Sequence, residues 1–159
     1  MNIIGLIPAR MASSRFPGKP LAPILGIPII GHVYFRSKMS PILSEVYVAT
    51  CDREIAEYID SIGGKAIMTL DTHERASDRC AEAIVKIEKV KDKKVDYIVM
   101  IQGDEPMLMP EMINDLVEPV LKDPSIRITN LINEITTEEE FNNSNVVKVV
   151  MDLNDFALY

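Results

Sequence analysis

The sequence predicts an α/β fold: a doubly wound, mostly parallel sheet with a mixed portion towards the C-terminus. Apolar runs of strand length alternate along the chain with segments whose apolar residues recur at helical spacing. The strand-like runs are near-continuously apolar, which is typical of parallel strands buried on both faces. Polar loops follow two of these runs, at the strand ends where open α/β sheets bind their ligands.

Each strand is predicted from a short apolar run bounded by turn or charged residues. The first covers residues 2–7 and should end at Pro8. Further strands are expected at residues 45–50, 65–68, 97–101, 127–133, 146–151 and 157–159, the last two being joined by residues 152–155.

Each helix is predicted from apolar residues three and four positions apart, together with start and stop signals. Pro28 lies in the first turn of the first helix, and Pro41 stops that helix. Asp52 is the expected N-cap of the second helix, and Gly63-Gly64 closes it. The other helices are expected at residues 77–90, 110–121 and 137–141.

Composition narrows the class of protein. The 159 residues, 47% hydrophobic and 26% charged, fit one globular nucleotide-binding domain covering residues 1–159. No apolar run approaches the roughly 18 residues of a membrane span, and no basic region precedes the first apolar run as in a signal peptide. Two cysteines without metal-ligand spacing favour a cytoplasmic protein. A net charge of −7 argues against nucleic acid as a partner.

The loop after the first strand is basic although the protein is acidic. It reads P-A-R-M-A-S-S-R-F-P-G-K-P from Pro8 onwards, with Arg10, Arg15 and Lys19 as its cations and no carboxylate. Cations and free backbone amides at a strand end suit a polyphosphate. The alternative is a solvated surface loop, but its prolines stiffen it and hold the cations near the strand. Neither G-x-G-x-x-G nor the P-loop pattern occurs here, which argues against dinucleotide-binding and P-loop enzymes.

A second polar loop, Q-G-D-E-P at residues 102–106, follows the predicted strand 97–101. Asp104 in this loop would face the basic loop and is suited to hold Mg²⁺ on a triphosphate, because Mg²⁺ takes one or two carboxylates plus phosphate oxygens and water. Glu105 is the competing ligand, although adjacent side chains diverge. The alternative is that Asp104 only caps a turn.

The string P-A-R-M-A-S-S-R-F-P-G-K-P-L resembles the signature of bacterial sugar-acid cytidylyltransferases, roughly P-A-R-x-x-S-x-R-x-P-G-K-x-L. Within that group the chain is most similar to the 3-deoxy-manno-octulosonate (Kdo) cytidylyltransferases, and Q-G-D-E-P matches their pattern. The resemblance implies a nucleotide-diphospho-sugar transferase-like fold. It implies transfer of CMP from CTP to a Kdo-like sugar acid, with release of pyrophosphate, in lipopolysaccharide biosynthesis. It also implies that full-length members are homodimers, whereas the oligomeric state of this chain stays open.

The resemblance assigns roles to individual residues. Arg10, Arg15 and Lys19 would be phosphate-binding catalytic cations, Asp104 the catalytic ligand of Mg²⁺, and Gln102 a contact to the sugar acid. Nucleotide-binding groups would come from Ala9, Ser13, Ser14, Ser77 and Arg79.

Two departures from the family pattern leave alternatives open. Where the family has S-G-T-[DE]-R, the chain reads Arg75-Ala76-Ser77-Asp78-Arg79, and a Cβ at Ala76 would hinder close approach of a base. Base preference therefore stays open, and Ser77 is equally well explained as a helix cap. The family also continues with S-R-x-x-I-P, a dimer-forming region and a second metal-binding Asp. The resemblance thus covers the N-terminal two-thirds of the family, so a truncated CTP-binding module without turnover, or a nucleotidyltransferase for another sugar acid, are the alternatives.

Overall fold

Four parallel strands form the central sheet of the computed structural model, which describes residues 1–12 and 16–159. In chain order the strands are β1 (Ile3–Ala9), β2 (Pro23–Ile24), β3 (Ile27–Pro28), β4 (Glu45–Thr50), β5 (Ala66–Met68) and β6 (Tyr97–Met100). Four of these strands, β1, β4, β5 and β6, form the parallel sheet, in the spatial order β5-β4-β1-β6. The other two, β2 and β3, form a separate antiparallel hairpin. The predicted mostly parallel sheet is confirmed.

Helices cover both faces of this sheet, which confirms the doubly wound arrangement. They are α1 (Ile29–Lys38), α2 (Arg53–Ser61), α3 (Ala76–Lys91), α4 (Pro110–Lys122) and α5 (Glu138–Asn142). Buried residues of α1, α2 and α4 pack with Ile3 and Ile7 on one face of β1, and residues of α3 pack with Ile4 and Leu6 on the other. This alternation follows from the two-residue period of a strand. None of the helices in the described ranges has the length and apolar character needed to cross a bilayer.

The prediction that Pro8 ends the first strand is wrong, because β1 continues to Ala9 and Pro8 lies in register with Ala49 of β4. The backbone of Leu6 faces β6, since its carbonyl accepts from the N–H of Ile101 at 2.8 Å. The backbone nitrogen of Pro8, two residues further on, points to this same side of β1, but the pairing with β6 has already ended at that level. A missing N–H therefore costs no ladder hydrogen bond at this position.

The predicted strands at residues 127–133, 146–151 and 157–159 are also wrong. In the structure these segments are extended or irregular, and the described residues show only an isolated antiparallel bridge between Met151 and Ala157. Apolar side chains of these segments, such as Ile128, Val147 and Leu158, are largely exposed. A strand requires a partner for its backbone groups, and these segments have none in the sheet. Among the described residues the mixed C-terminal portion is thus reduced to this antiparallel bridge, supported by hydrogen bonds of Val150 with Leu158 and Tyr159, and it does not join the central sheet.

Candidate functional site

The carboxyl end of β1 carries the first predicted site residues to the edge of the sheet. Ala9 is buried and paired with Thr50 of β4, and the exposed Arg10 follows it directly. Gly18 then adopts a left-handed φ of 75°, and a 3₁₀ turn covers Lys19–Leu21. The N–H of Gly18 donates to the carbonyl of Met11 at 3.0 Å, which closes the loop at its base. The predicted site residues Ser13, Ser14 and Arg15 lie outside the described residues.

Lys19 and Asp104 meet at this edge although 85 residues separate them in sequence. Lys19 Nζ lies 2.6 Å from Asp104 Oδ2, and the two side chains are 34% and 47% exposed. The contact arises because β1 and β6 are neighbours and their carboxyl ends point the same way. The basic loop and the Q-G-D-E-P loop therefore meet at one edge of the sheet, as the topology predicted, and the Asp104 side chain pairs with Lys19.

Gly103 allows the second loop to lie against β1. A Cβ built on this glycine would lie 2.8 Å from the carbonyl oxygen of Pro8, closer than real Cβ contacts come. Only a residue without a side chain lets the two backbones approach in this way.

The side chains of Gln102 and Glu105, which lie on either side of Asp104 in the sequence, line a different surface. Glu105 and Gln102 line a mainly apolar cavity of about 480 Å³ between β6, α4 and residues 127–131. Asp104 is not among the residues that line it. The divergence of Asp104 and Glu105 that the sequence predicted is thus present. Gln102 is exposed, so its amide is free to reach a ligand at this end of the cavity.

Arg79, a predicted nucleotide-binding residue, is only 3% exposed and lies in the first turns of α3. Its Nη1 donates to Thr69 Oγ1 and, at 3.3 Å, to the carbonyl of Leu70. Its Nη2 is buried and has no hydrogen-bond partner within the described part of the chain. Arg79 therefore holds the loop after β5 against α3.

Ser77 is exposed in the first turn of α3, and the explanation of this residue as the helix cap is wrong. The N-cap is Arg75, whose backbone is extended (φ −100°, ψ 143°), so the helix begins at Ala76. The Ser77 hydroxyl is accordingly not consumed by capping. It faces outwards on the same turn that positions Arg79.

Glu82 is a structural centre of this region that the sequence analysis missed. Its carboxylate accepts from the N–H of Leu70 at 2.9 Å, pairs with Lys86 at 2.6 Å and lies 2.5 Å from His73 Nε2. The hydrogen bond from Lys86, followed by those from Leu70 and His73, lowers the pKa of Glu82 to about 2. The i,i+4 spacing of Glu82 and Lys86 was the one available sequence signal.

His32 has a structural position at the hairpin. Its Nε2 lies 2.9 Å from the carbonyl oxygen of Ile24 in β2, so the imidazole joins α1 to the β2–β3 hairpin.

The site suits Mg²⁺ held partly by a ligand, and it does not suit a metal held by protein alone. Residues 1–12 and 16–159 contain no group of three or more His, Cys, Asp or Glu side chains placed to hold an ion. Asp104 instead offers one exposed carboxylate beside the cationic side chain of Lys19. One or two carboxylates are the usual protein contribution where Mg²⁺ also binds phosphates and water.

Comparison with known proteins places this site in a family. The family model described as Cytidylyltransferase matches residues 4–159. The chain is 45% identical over its full length to the 3-deoxy-manno-octulosonate cytidylyltransferase of Geobacter metallireducens, of which it covers 60%. The enzyme of the same name from Thermodesulfovibrio yellowstonii is also 45% identical, with 63% of that protein covered. The chain thus spans about 60% of the length of these curated relatives.

Solved structures agree with this assignment. A CMP:2-keto-3-deoxy-manno-octonic acid synthetase complexed with CTP superposes on the whole chain with a TM-score of 0.92 at 38% identity, and the chain covers 63% of it. A cytidylyltransferase from Leptospira borgpetersenii superposes on 77% of the chain with a TM-score of 0.63 at 26% identity, 50% of that structure being covered. The motif-bearing loops, the sheet order and these comparisons together establish that the chain belongs to the cytidylyltransferase family.

Proposed function

We propose that this protein is a cytidylyltransferase that transfers CMP from CTP to a Kdo-like sugar acid, releasing pyrophosphate, in lipopolysaccharide biosynthesis. The observation that carries the proposal is the 2.6 Å contact between Lys19 and Asp104, which joins a phosphate-binding cation and a metal-binding carboxylate at one sheet edge. The named activity of the 45% identical relatives and the CTP in the similar structure support the choice of substrates. The reaction would take place in the cytoplasm, where CTP is available.

In the proposed reaction a hydroxyl of the sugar acid attacks the α-phosphate of CTP. The bond to the attacking oxygen forms, the bond between the α-phosphate and pyrophosphate breaks, and the hydroxyl proton passes to solvent. Such transfers depend on in-line positioning and on neutralising negative charge more than on covalent help. Arg10 and Arg15 would offer planar, forked donors to phosphate oxygens, and Lys19 a compact point charge.

Asp104 is the residue of this chain that would hold Mg²⁺. When bound, the ion supplies Lewis acidity and a template for the phosphates. The exposed Asp104 carboxylate fits this role because nothing but Lys19 pairs with it among the described side chains. Glu105 faces the apolar cavity instead and serves as an internal comparison.

The remaining predicted contacts complete the proposed substrate site. Ser13, Ser14 and the backbone near Ala9 would cradle the nucleotide phosphates. Ser77, with Arg79 holding its turn, would contribute to the base site at the start of α3. Gln102, in the same loop as Asp104, would contact the sugar acid.

The first test is calorimetry of CTP binding to the wild-type chain and to Asp104→Ala, with and without Mg²⁺. With Mg²⁺ we expect the Asp104→Ala variant to bind CTP about 10- to 100-fold more weakly, the range for loss of a charged contact. Without Mg²⁺ we expect its affinity to equal or exceed that of the wild type, because Lys19 is then free to bind phosphate. UTP and ATP titrations measure base preference, and a pyrophosphate-release assay with Kdo measures turnover.

The matched control is Glu105→Ala, which removes the adjacent carboxylate. We expect it to leave Mg²⁺-dependent CTP affinity within about twofold of the wild type. Equal losses in the Glu105→Ala and Asp104→Ala variants would contradict the assignment of Asp104. Absence of binding to any nucleoside triphosphate would refute the proposed function. Binding of CTP without pyrophosphate release would identify the chain as a CTP-binding module.

A further inference from the structure

The carboxylate of Asp52 makes a contact that its position in the helix does not predict. Asp52 is the N-cap of α2, yet its side chain forms no capping hydrogen bond. An N-cap Asp ordinarily accepts from the second or third N–H of its own helix. Here Asp52 Oδ2 instead accepts from the backbone N–H of Met11 at 2.8 Å, 41 residues earlier in the chain.

Asp52 is itself held in a fixed position. Its N–H donates to Thr50 Oγ1 at 3.0 Å, and Thr50 is fully buried at the end of β4. Its carbonyl accepts from Ala56 at 3.2 Å as α2 begins. The acceptor for Met11 is therefore fixed to both the central sheet and a helix.

Met11 is the residue at which the basic loop closes. Its carbonyl accepts from Gly18 at 3.0 Å, so one peptide residue joins the start and the end of the loop. Arg10 immediately precedes this junction and Lys19 immediately follows it. A displacement of Met11 would therefore move both cations relative to Asp104.

We infer that Asp52 is a positioning residue for nucleotide binding: it fixes the base of the phosphate-binding loop by accepting a hydrogen bond from Met11. This inference rests on the proposed function, because the cations are assigned to a nucleotide. Asp52 itself contacts Met11 and does not act on the substrate. The role requires an acceptor oxygen at the distance that an Asp or Asn side chain reaches, and it does not require the negative charge.

The test uses two substitutions that separate this role from helix capping. Asp52→Asn keeps an acceptor oxygen of the same reach. Asp52→Ser provides an equally good N-cap, but its shorter hydroxyl does not reach Met11. Asp60→Ser is the control, since Asp60 is exposed on the same helix. The measurements on the 159-residue chain are CTP affinity with Mg²⁺, amide hydrogen exchange of residues 9–19 and the melting temperature.

We expect Asp52→Ser to weaken CTP binding up to about tenfold, the upper end of what one ordinary hydrogen bond contributes. It should also speed hydrogen exchange in residues 9–19 without lowering the melting temperature. Asp52→Asn should restore affinity and exchange to within about twofold of the wild type, and the control should change neither. Rescue by Asn distinguishes positioning from a general loss of stability.

Two results would overturn the inference. Equal CTP affinity in wild-type and Asp52→Ser chains would show that the Met11 contact does not position the loop for nucleotide. Equal weakening by Asn and Ser would show that the charge, and not the hydrogen bond, is what matters. A wild-type chain that binds no nucleoside triphosphate would instead refute the proposed function, and the exchange data would still show whether Asp52 holds the loop.

Discussion

Replacing Gly103 with Ala should disturb the contact between Lys19 and Asp104. The new Cβ would lie 2.8 Å from the carbonyl oxygen of Pro8 and 3.5 Å from Ile30 Cδ1. Pro8 lies in the central strand of the sheet, so its backbone has little freedom to retreat. The loop that carries Asp104 must therefore move outwards.

The size of this movement follows from the contact distance. Ordinary Cβ contacts begin near 3.4 Å, so the loop must give by about half an ångström. Overpacking of this kind costs about 1–3 kcal/mol in the free energy of unfolding. For a domain of this length, at about 2–4 °C per kcal/mol, the melting temperature should fall by roughly 2–12 °C. Since the displaced Asp104 carboxylate would lose most of one charged contact to the bound ion, we expect roughly a tenfold loss of CTP affinity with Mg²⁺.

Thermal melting and calorimetry with CTP measure the two effects. Met107→Ala is a suitable control, because Met107 follows in the same chain segment and is 74% exposed. It should leave both quantities near wild-type values. A Gly103→Ala variant that melts and binds CTP like the wild type would show that the loop is not held against Pro8, and the geometric reasoning would be wrong.

Two further predictions concern groups on α3. The pKa of Glu82 is lowered from 4.5 to about 2, so its carboxylate stabilises the fold above pH ~4.5 and this contribution is lost as the pH falls towards 2. Glu82→Gln should therefore lose stability at pH 7 and show a shallower acid-side decline in urea unfolding between pH 5 and about 3; an unchanged pH profile would contradict this. Burial raises the pKa of Cys80 to about 11, so alkylation of the folded chain should modify Cys51 and spare Cys80 until denaturant is added, as mass spectrometry would show. Equal labelling of both thiols without denaturant would refute it.

The local sequence pattern predicted the N-terminal strands and helices well. It failed for segments whose structure depends on whether a neighbouring strand is there to pair with them. The run Glu45–Thr50 has the predicted bounds because it is buried on both faces between β1 and β5. The similarly apolar residues 146–151 do not join the central sheet: among the described residues their backbone pairs only near Val150 and Met151, with residues 157–159, which gives an isolated antiparallel bridge rather than a strand. Pro8 shows the reverse case: a residue that usually ends a strand is tolerated because β6 is already absent at that level.

The site was predictable where topology alone brings residues together. The rule that ligands bind at the carboxyl ends of parallel strands was enough to place Asp104 opposite the basic loop, and the structure shows that Lys19 is the cation of that loop that contacts it. The contact of Asp52 with Met11 could not be predicted, because the side chain of an N-cap Asp is expected to accept from N–H groups in the first turn of its own helix. The same limit applies to Glu82, whose bond to Leu70 depends on how the loop after β5 folds back on α3.

Two properties of the Lys19–Asp104 ion pair would favour binding of a charged ligand at this site. Both side chains are partly exposed, and such pairs contribute at most about 1 kcal/mol, so the pair opens at little cost. It nevertheless holds the long Lys19 side chain at the sheet edge, which removes part of the ~2 kcal/mol of rotamer entropy that a free lysine would lose on binding. In the proposed reaction Lys19 would therefore move from a carboxylate to a nearby phosphate rather than be ordered from solution. When Lys19 moves to the phosphate, the Asp104 carboxylate loses its partner and becomes available to Mg²⁺. In the proposed reaction, nucleotide binding by the basic loop and metal binding by Asp104 would thus be coupled through one weak ion pair.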